Sequence, residues 1–207
     1  MKSRSAITAA VLIVVCVAGF ANAASYYTGF EDTNKPSYVV ASVSFSNVVW
    51  TLDSVVSGSL AADKKEGVYS LRMAYSGVPG SVYTGSAYFA ETLTGAFSTL
   101  SFKYAAYGTS SYLVDGRIAA DISTDDGGTW NNVMETEVHS SDQDLTPTGT
   151  SFGPYNYVRL RFRFWDLTCT ISRQRANIDT VELIPEPGSL LIAGSVAVGL
   201  LALLRRK

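Results

Sequence analysis

An all-β fold is predicted for most of this 207-residue chain: a two-sheet antiparallel β-sandwich of jelly-roll type, with one signal helix before it and one transmembrane helix after it. Three observations lead there. Twelve Tyr and 17 Gly favour strands and turns over helices. Short runs of β-branched and aromatic residues alternate with polar ones and are cut by Gly- and Asp-rich punctuation. No stretch between the two termini carries an apolar repeat of helical period.

In chain order the expected strands are Tyr26–Glu31, Val48–Leu52, Tyr69–Tyr75, Ser86–Phe89, Ser98–Ala106, Arg117–Ser123, Asn132–Val138, Tyr157–Trp165 and Asn177–Ile184. Alternation is clearest from Val158 to Phe164, where Arg159, Arg161 and Arg163 share one face and apolar residues the other. Arg117 to Ser123 alternates likewise. Val78-Pro79-Gly80 and Asp126-Gly127-Gly128 are turn clusters between runs. Eight or nine short strands without an internal repeat fit one sandwich spanning residues 25–184.

The N-terminus reads as a secretory signal peptide, residues 1–23. Lys2 and Arg4 precede an uncharged, mostly apolar run from Ala6 to Phe20, and Ala21-Asn22-Ala23 supplies a small-x-small cleavage site. Lipoprotein processing at Cys16 is not expected, because Val15 stands where a small residue is needed. At the other end Gly188 to Leu204 is uncharged, and Arg205, Arg206 and Lys207 follow directly. Seventeen helical residues span about 26 Å, enough to cross a thin or thinned bilayer core. The basic cluster would hold the C-terminus inside and leave the preceding domain outside.

Pro185-Glu186-Pro187-Gly188, an apolar helix and a terminal basic cluster together resemble the PEP-CTERM sorting signal of bacterial envelope proteins. The resemblance covers residues 185–207. It implies recognition by an exosortase after export through signal peptidase, a precursor held in the inner membrane, and delivery to the cell surface or extracellular matrix, commonly beside an exopolysaccharide. Gly29-Phe30-Glu31 and Asn177 to Leu183 resemble the first and last strands of galactose-binding-like jelly rolls, a fold that hosts many functions.

The segment between the termini holds 17 acidic and 11 basic residues, which argues against nucleic acid as a partner. Cys169 is its single cysteine, so no disulfide can form within it. Glu31, Asp32 and Asp179 are candidate ligands for a structural calcium ion, since hard cations take several carboxylate oxygens and first and last strands lie close together in such folds; solvated turn carboxylates are the plainer reading. No other cofactor is expected.

Ser123-Thr124-Asp125-Asp126-Gly127-Gly128-Thr129-Trp130 matches the Asp-box pattern Ser-x-Asp-x-Gly-x-Thr-Trp. Asp125 would accept amide hydrogen bonds across a tight turn, Gly127 would take a conformation closed to other residues, and Trp130 would fold over the hairpin. The expected role is structural. Tyr107, Tyr112, Tyr155 and Trp165 are candidate sugar-stacking rings, because pyranose C–H faces pack on aromatic planes. Arg159, Arg161 and Arg163 suggest an anion-binding stripe, with pairing to Asp115 and Asp121 on a neighbouring strand as the quieter alternative.

Catalysis is not expected. His139 is the single histidine, no Gly-x-Ser-x-Gly elbow occurs, and Glu135 and Glu137 share one strand face. The sequence therefore reads as an exported surface protein with a structural or interaction role in the envelope or biofilm. A carbohydrate-binding module for exopolysaccharide is the first alternative, and a secreted glycoside hydrolase the second.

Overall fold

A computed structural model describes residues 25–78, 81–83, 85–108, 116–166 and 174–186. The signal segment, the apolar run 188–204 and the basic tail lie outside the described residues, as do Tyr112, Asp115, Cys169, Pro187 and Gly188. Among the described residues no helix is long and apolar enough to cross a membrane.

Twelve strands form: β1 (Tyr26–Thr28), β2 (Ala41–Phe45), β3 (Val48–Asp53), β4 (Val55–Gly58), β5 (Ser70–Val78), β6 (Ser81–Tyr83), β7 (Gly85–Phe89), β8 (Leu93–Ala106), β9 (Gly116–Ser123), β10 (Asn131–Val138), β11 (Thr146–Asp166) and β12 (Gln174–Pro185). All described pairings are antiparallel, and they join into one curled sheet whose two halves face each other. One half runs β11-β8-β12-β5-β4, with β1 also on β12; the other runs β2-β3-β7-β11-β9-β10.

Strand β11 belongs to both halves. Its first part, Thr146 to Val158, pairs with β8, and its second part, Arg159 to Asp166, lies between β9 and β7. That first part lies outside the expected strand Tyr157–Trp165, because Pro147, Gly149, Gly153 and Pro154 have the composition of a loop. Residues 146–155 lie at a sheet edge, hydrogen-bonded to β8 alone, where a residue lacking an N–H is tolerated. Strands β2, β4 and β6 were also unread. Between β3 and β4 a single residue, Ser54, at φ 56°, turns the chain from one half to the other, so a run that looks continuous is two strands.

The core lies between the halves. Phe102 of β8 meets Phe162 of β11 edge to face at 4.9 Å, and Trp50 packs on Phe89 at 4.6 Å and on Phe30 at 5.6 Å. All five rings are 2% exposed or less. Trp50 donates its indole N–H to Tyr26 Oη at 3.0 Å, and Tyr26 donates to the Phe45 carbonyl at 3.3 Å, so both polar atoms of this pair are satisfied inside the core. Burial raises the Tyr26 hydroxyl to a pKa of about 12. The segment from Ser59 to Tyr69 covers the outer face of the first half, fastened by Asp63, which takes Arg72 at 3.0 Å and Asn177 at 3.0 Å.

Candidate functional site

The strongest alternation in the sequence is also the framework of a cleft. Along β11, Val158, Leu160, Phe162 and Phe164 are buried, while Arg159, Arg161, Arg163 and Trp165 stand half-exposed on the opposite face. Register then brings in neighbours that local pattern alone does not reveal. Arg161 lies opposite Tyr88 of β7 on one side and Asp121 of β9 on the other; Arg163 lies opposite Ser86 and Ala119.

The β9–β10 hairpin supplies the wall. Ser123 Oγ donates to Asp125 Oδ1 at 2.8 Å and accepts the Gly127 amide at 2.8 Å. Asp125 accepts both the amide of Thr129 at 2.8 Å and its hydroxyl at 2.7 Å. These bonds from Thr129 and Ser123 hold the Asp125 carboxyl down at a pKa of about 2. Asp126 at φ 58° and Gly127 at φ 89° carry the chain through the turn. Trp130 consequently leans back over β11, with the Arg161 guanidinium 4.4 Å from its ring centroid and Tyr88 edge-on at 6.4 Å.

The result is a cleft of about 470 Å³ lined by Ser86, Tyr88, Asp126, Gly127, Trp130 and the three arginines, within the ~300–1,000 Å³ usual for small-ligand sites. Two carboxylates position the guanidinium groups. Asp121, 1% exposed, accepts from Arg161 Nε at 2.9 Å and from Arg163 Nε and Nη2 at 2.6 and 2.9 Å, and Asn132 adds a further bond at 3.1 Å. Burial opposes ionisation of Asp121, but the bonds from Arg163, Asn132 and Arg161 together outweigh it and hold the carboxyl below its usual range. Asp126 takes Arg159 at 2.6 Å and the Thr92 hydroxyl at 2.6 Å, and Thr92 accepts from Arg159 Nε at 3.2 Å. The expected pairing of the arginine stripe with Asp121 is therefore present.

Of the proposed sugar-stacking rings, the three within the described residues, Tyr107, Tyr155 and Trp165, do not share a platform. Tyr107 is 6% exposed on the outer face of the other half, with the guanidinium groups of Arg72 and Arg175 at 5.0 and 5.1 Å from its ring. Tyr155 stacks on Phe152 at 6.0 Å near the β11 edge segment. Trp165 continues the arginine stripe, its ring 5.3 Å from Arg163. The aromatic pair that the fold does assemble is Tyr88 with Trp130. Tyr88 was legible as an outward residue of Gly85-Ser86-Ala87-Tyr88-Phe89, but only the β7–β11 register places it beside Trp130.

The three candidate calcium ligands are each engaged with backbone. Glu31 accepts the amides of Val68 and Tyr69 at 2.8 and 3.2 Å, Asp32 accepts that of Ser46, and Asp179 accepts those of Glu66 and Thr180 at 2.7 Å each. Among the described residues no group of three His, Cys, Asp or Glu is arranged to hold a metal ion. Each of these carboxylates fastens a loop to a strand end, and Glu31 also lies near enough to Asp179 to raise its pKa. Glu135 and Glu137, which share one face of β10, both bind the Arg117 guanidinium.

Solved structures to which the chain is similar include two cleaved adhesin domains of Lys-gingipain from Porphyromonas gingivalis W83. The K1 domain is 14% identical over 79% of this chain and 99% of that one, with a TM-score of 0.51, and the likeness is one of fold. The K3 domain is 13% identical over 79% and 100% of the two chains, with a TM-score of 0.49. The CBM22-1 xylan-binding domain of Paenibacillus barcinonensis Xyn10C is 11% identical over 78% and 94%, with a TM-score of 0.46. Among curated protein sequences none matches. The profile of the SEF14-like adhesins matches residues 2–153, well over half of the sequence, and the chain belongs to the SEF14-like adhesin family.

Proposed function

We propose that this is an exported, non-catalytic surface protein that binds a glycan in the Tyr88–Trp130 cleft. The observation that carries the reading is the cleft itself, in which two aromatic side chains stand beside a row of fixed guanidinium donors. Sugar recognition uses that pairing of an apolar surface with oriented polar groups. Membership in an adhesin family supports a binding role. The non-catalytic reading is supported by the state of the lining carboxylate: Asp126 is committed to Thr92 and Arg159, and the Thr92 bond foremost holds its carboxyl below the usual range. A group in that state is a poor proton donor at neutral pH.

Export by the signal segment 1–23 and sorting through Pro185-Glu186-Pro187-Gly188, the apolar run and Arg205-Arg206-Lys207 remain part of the proposal. Signal peptidase, an exosortase and the inner membrane are then processing partners, and exopolysaccharide is the intended ligand. Two measurements test it. Mass spectrometry of the mature protein from surface, membrane and medium fractions of its host should find residues 1–23 and the segment after Pro187 removed. A chain still ending at Lys207 in the inner membrane would sink the sorting claim. On a glycan array the full-length chain should retain at least one polysaccharide, and Tyr88→Ala should lose it. Equal retention by both chains would move the ligand away from this cleft.

A further inference from the structure

We propose that the ligand of this cleft is a carboxylate-bearing polysaccharide, received by Arg161 and Arg163. The inference rests on the glycan-binding reading above and narrows it to acidic sugars. Three guanidinium groups line the cleft, and two carboxylates, Asp121 and Asp126, pair with them. Glu135 and Asp125 also lie within electrostatic reach of these groups, so the attraction for an anion rests on which guanidinium N–H edges remain open at the cleft and not on a surplus of charge.

The bonding pattern makes the case sharper. Arg161 gives Asp121 only its Nε and lays its face on Trp130. Its two terminal nitrogens have no hydrogen-bond partner among the described residues. Arg163 commits Nε and Nη2 to Asp121, leaving Nη1. The buried carboxylate thus anchors two guanidinium groups from beneath and presents their remaining N–H edges at the cleft. A planar fork with two parallel donors matches a carboxylate better than a hydroxyl or a carbonyl. Because Asp121 has already fixed both side chains, less rotamer freedom is lost when the ligand arrives.

The same stripe is longer than one sugar. Tyr157, 57% exposed, Arg159, Arg161, Arg163 and Trp165 occupy alternate positions on one face of β11, a track of about 27 Å at strand rise. Aromatic side chains mark both ends and cations fill the middle, an order suited to an extended chain carrying acidic residues at intervals.

The test uses the purified full-length chain with polygalacturonate, dextran sulfate and neutral dextran as probes, by isothermal titration at low and high salt. Polygalacturonate should bind and dextran should not. Arg161→Gln should weaken that binding by about tenfold or more, as loss of a charge-assisted fork does. Because Arg161→Gln also removes a partner of Asp121, Ser86→Glu serves as the second variant. It takes nothing away, places a carboxylate opposite Arg163, and should weaken polygalacturonate binding by a similar factor. Equal binding of dextran, binding of dextran sulfate alone, or unchanged polygalacturonate binding in Ser86→Glu would overturn the carboxylate inference and leave glycan binding standing. Failure of all three probes together with an array that retains no polysaccharide would overturn both.

Discussion

A carboxylate removed from water stays ionised only where donors replace the water, and positions 121 and 179 show the two outcomes. Both side chains belong to residues that are 1% exposed. Asp121 has two arginines and stays below its usual range. Asp179 has two backbone amides and, nearby, the negative charges of Glu31 and Glu66; burial first, then those charges, raise its pKa to about 6. The sign of the linkage follows. A carboxyl whose folded pKa lies above its unfolded value of 3.8 stabilises the fold fully below that value. The contribution disappears as pH rises through about 6. The difference corresponds to at most ~3 kcal/mol at about 1.4 kcal/mol per pKa unit. Urea denaturation of the wild-type chain between pH 4 and pH 7 should therefore contain a falling component that Asp179→Asn lacks. Parallel pH profiles for the two proteins would refute it. Asp179 was legible in the sequence as a member of a carboxylate group. Its partners, the amides of Glu66 and of the neighbouring Thr180, were not, since backbone amides carry no sequence signature.

Among the elements, the Asp-box hairpin was the most fully legible, because its chemistry is confined to eight consecutive residues. Ser123, Asp125, Gly127 and Thr129 bond to one another, and no long-range information is needed to anticipate them. Gly127 combines φ 89° with a space where an added Cβ would lie 3.2 Å from Arg159 Nη1. Gly127→Ala should lower stability by about 1–2 kcal/mol through the left-handed backbone, measurable as a lower urea midpoint. It should also displace Arg159. An unchanged midpoint would mean that the turn relaxes freely. Strand β9 was read only in part. Its alternation is genuine, yet Ala119, Asp121 and Ser123 are buried along with the apolar face, because the β11 arginines and Asn132 cover the polar side. The edge portion of β11 was missed for the opposite reason. Its prolines and glycines are poor evidence against a strand that has a partner on one side only.

At the scale of the whole molecule, local period predicts strands well and pairing poorly. The sandwich was anticipated from strand number and punctuation, but not that one strand of 21 residues would serve both halves. The cleft depends on register within one half, where β7 and β9 flank the second part of β11 and bring Tyr88, Asp121 and Trp130 to the arginine stripe. A strand shared by both halves also ties their stabilities together. Leu160 sits at 0% exposure next to the point where β11 passes from one half to the other. Leu160→Ala should cost about 2–5 kcal/mol, and hydrogen exchange should quicken in β8 and β9 by the same factor. Loosening of β9 alone would show that the halves open independently.

Strand β12 ends at Pro185 inside the sheet, with the Glu186 amide still donating to the Ala96 carbonyl at 2.8 Å. Its last residues are flanked by β8 on one side and β1 on the other. Tension applied to the chain beyond Glu186 would run along β12 and load those backbone bonds side by side, in shear, instead of peeling them apart singly. A pull in that direction is therefore resisted by several backbone bonds at once.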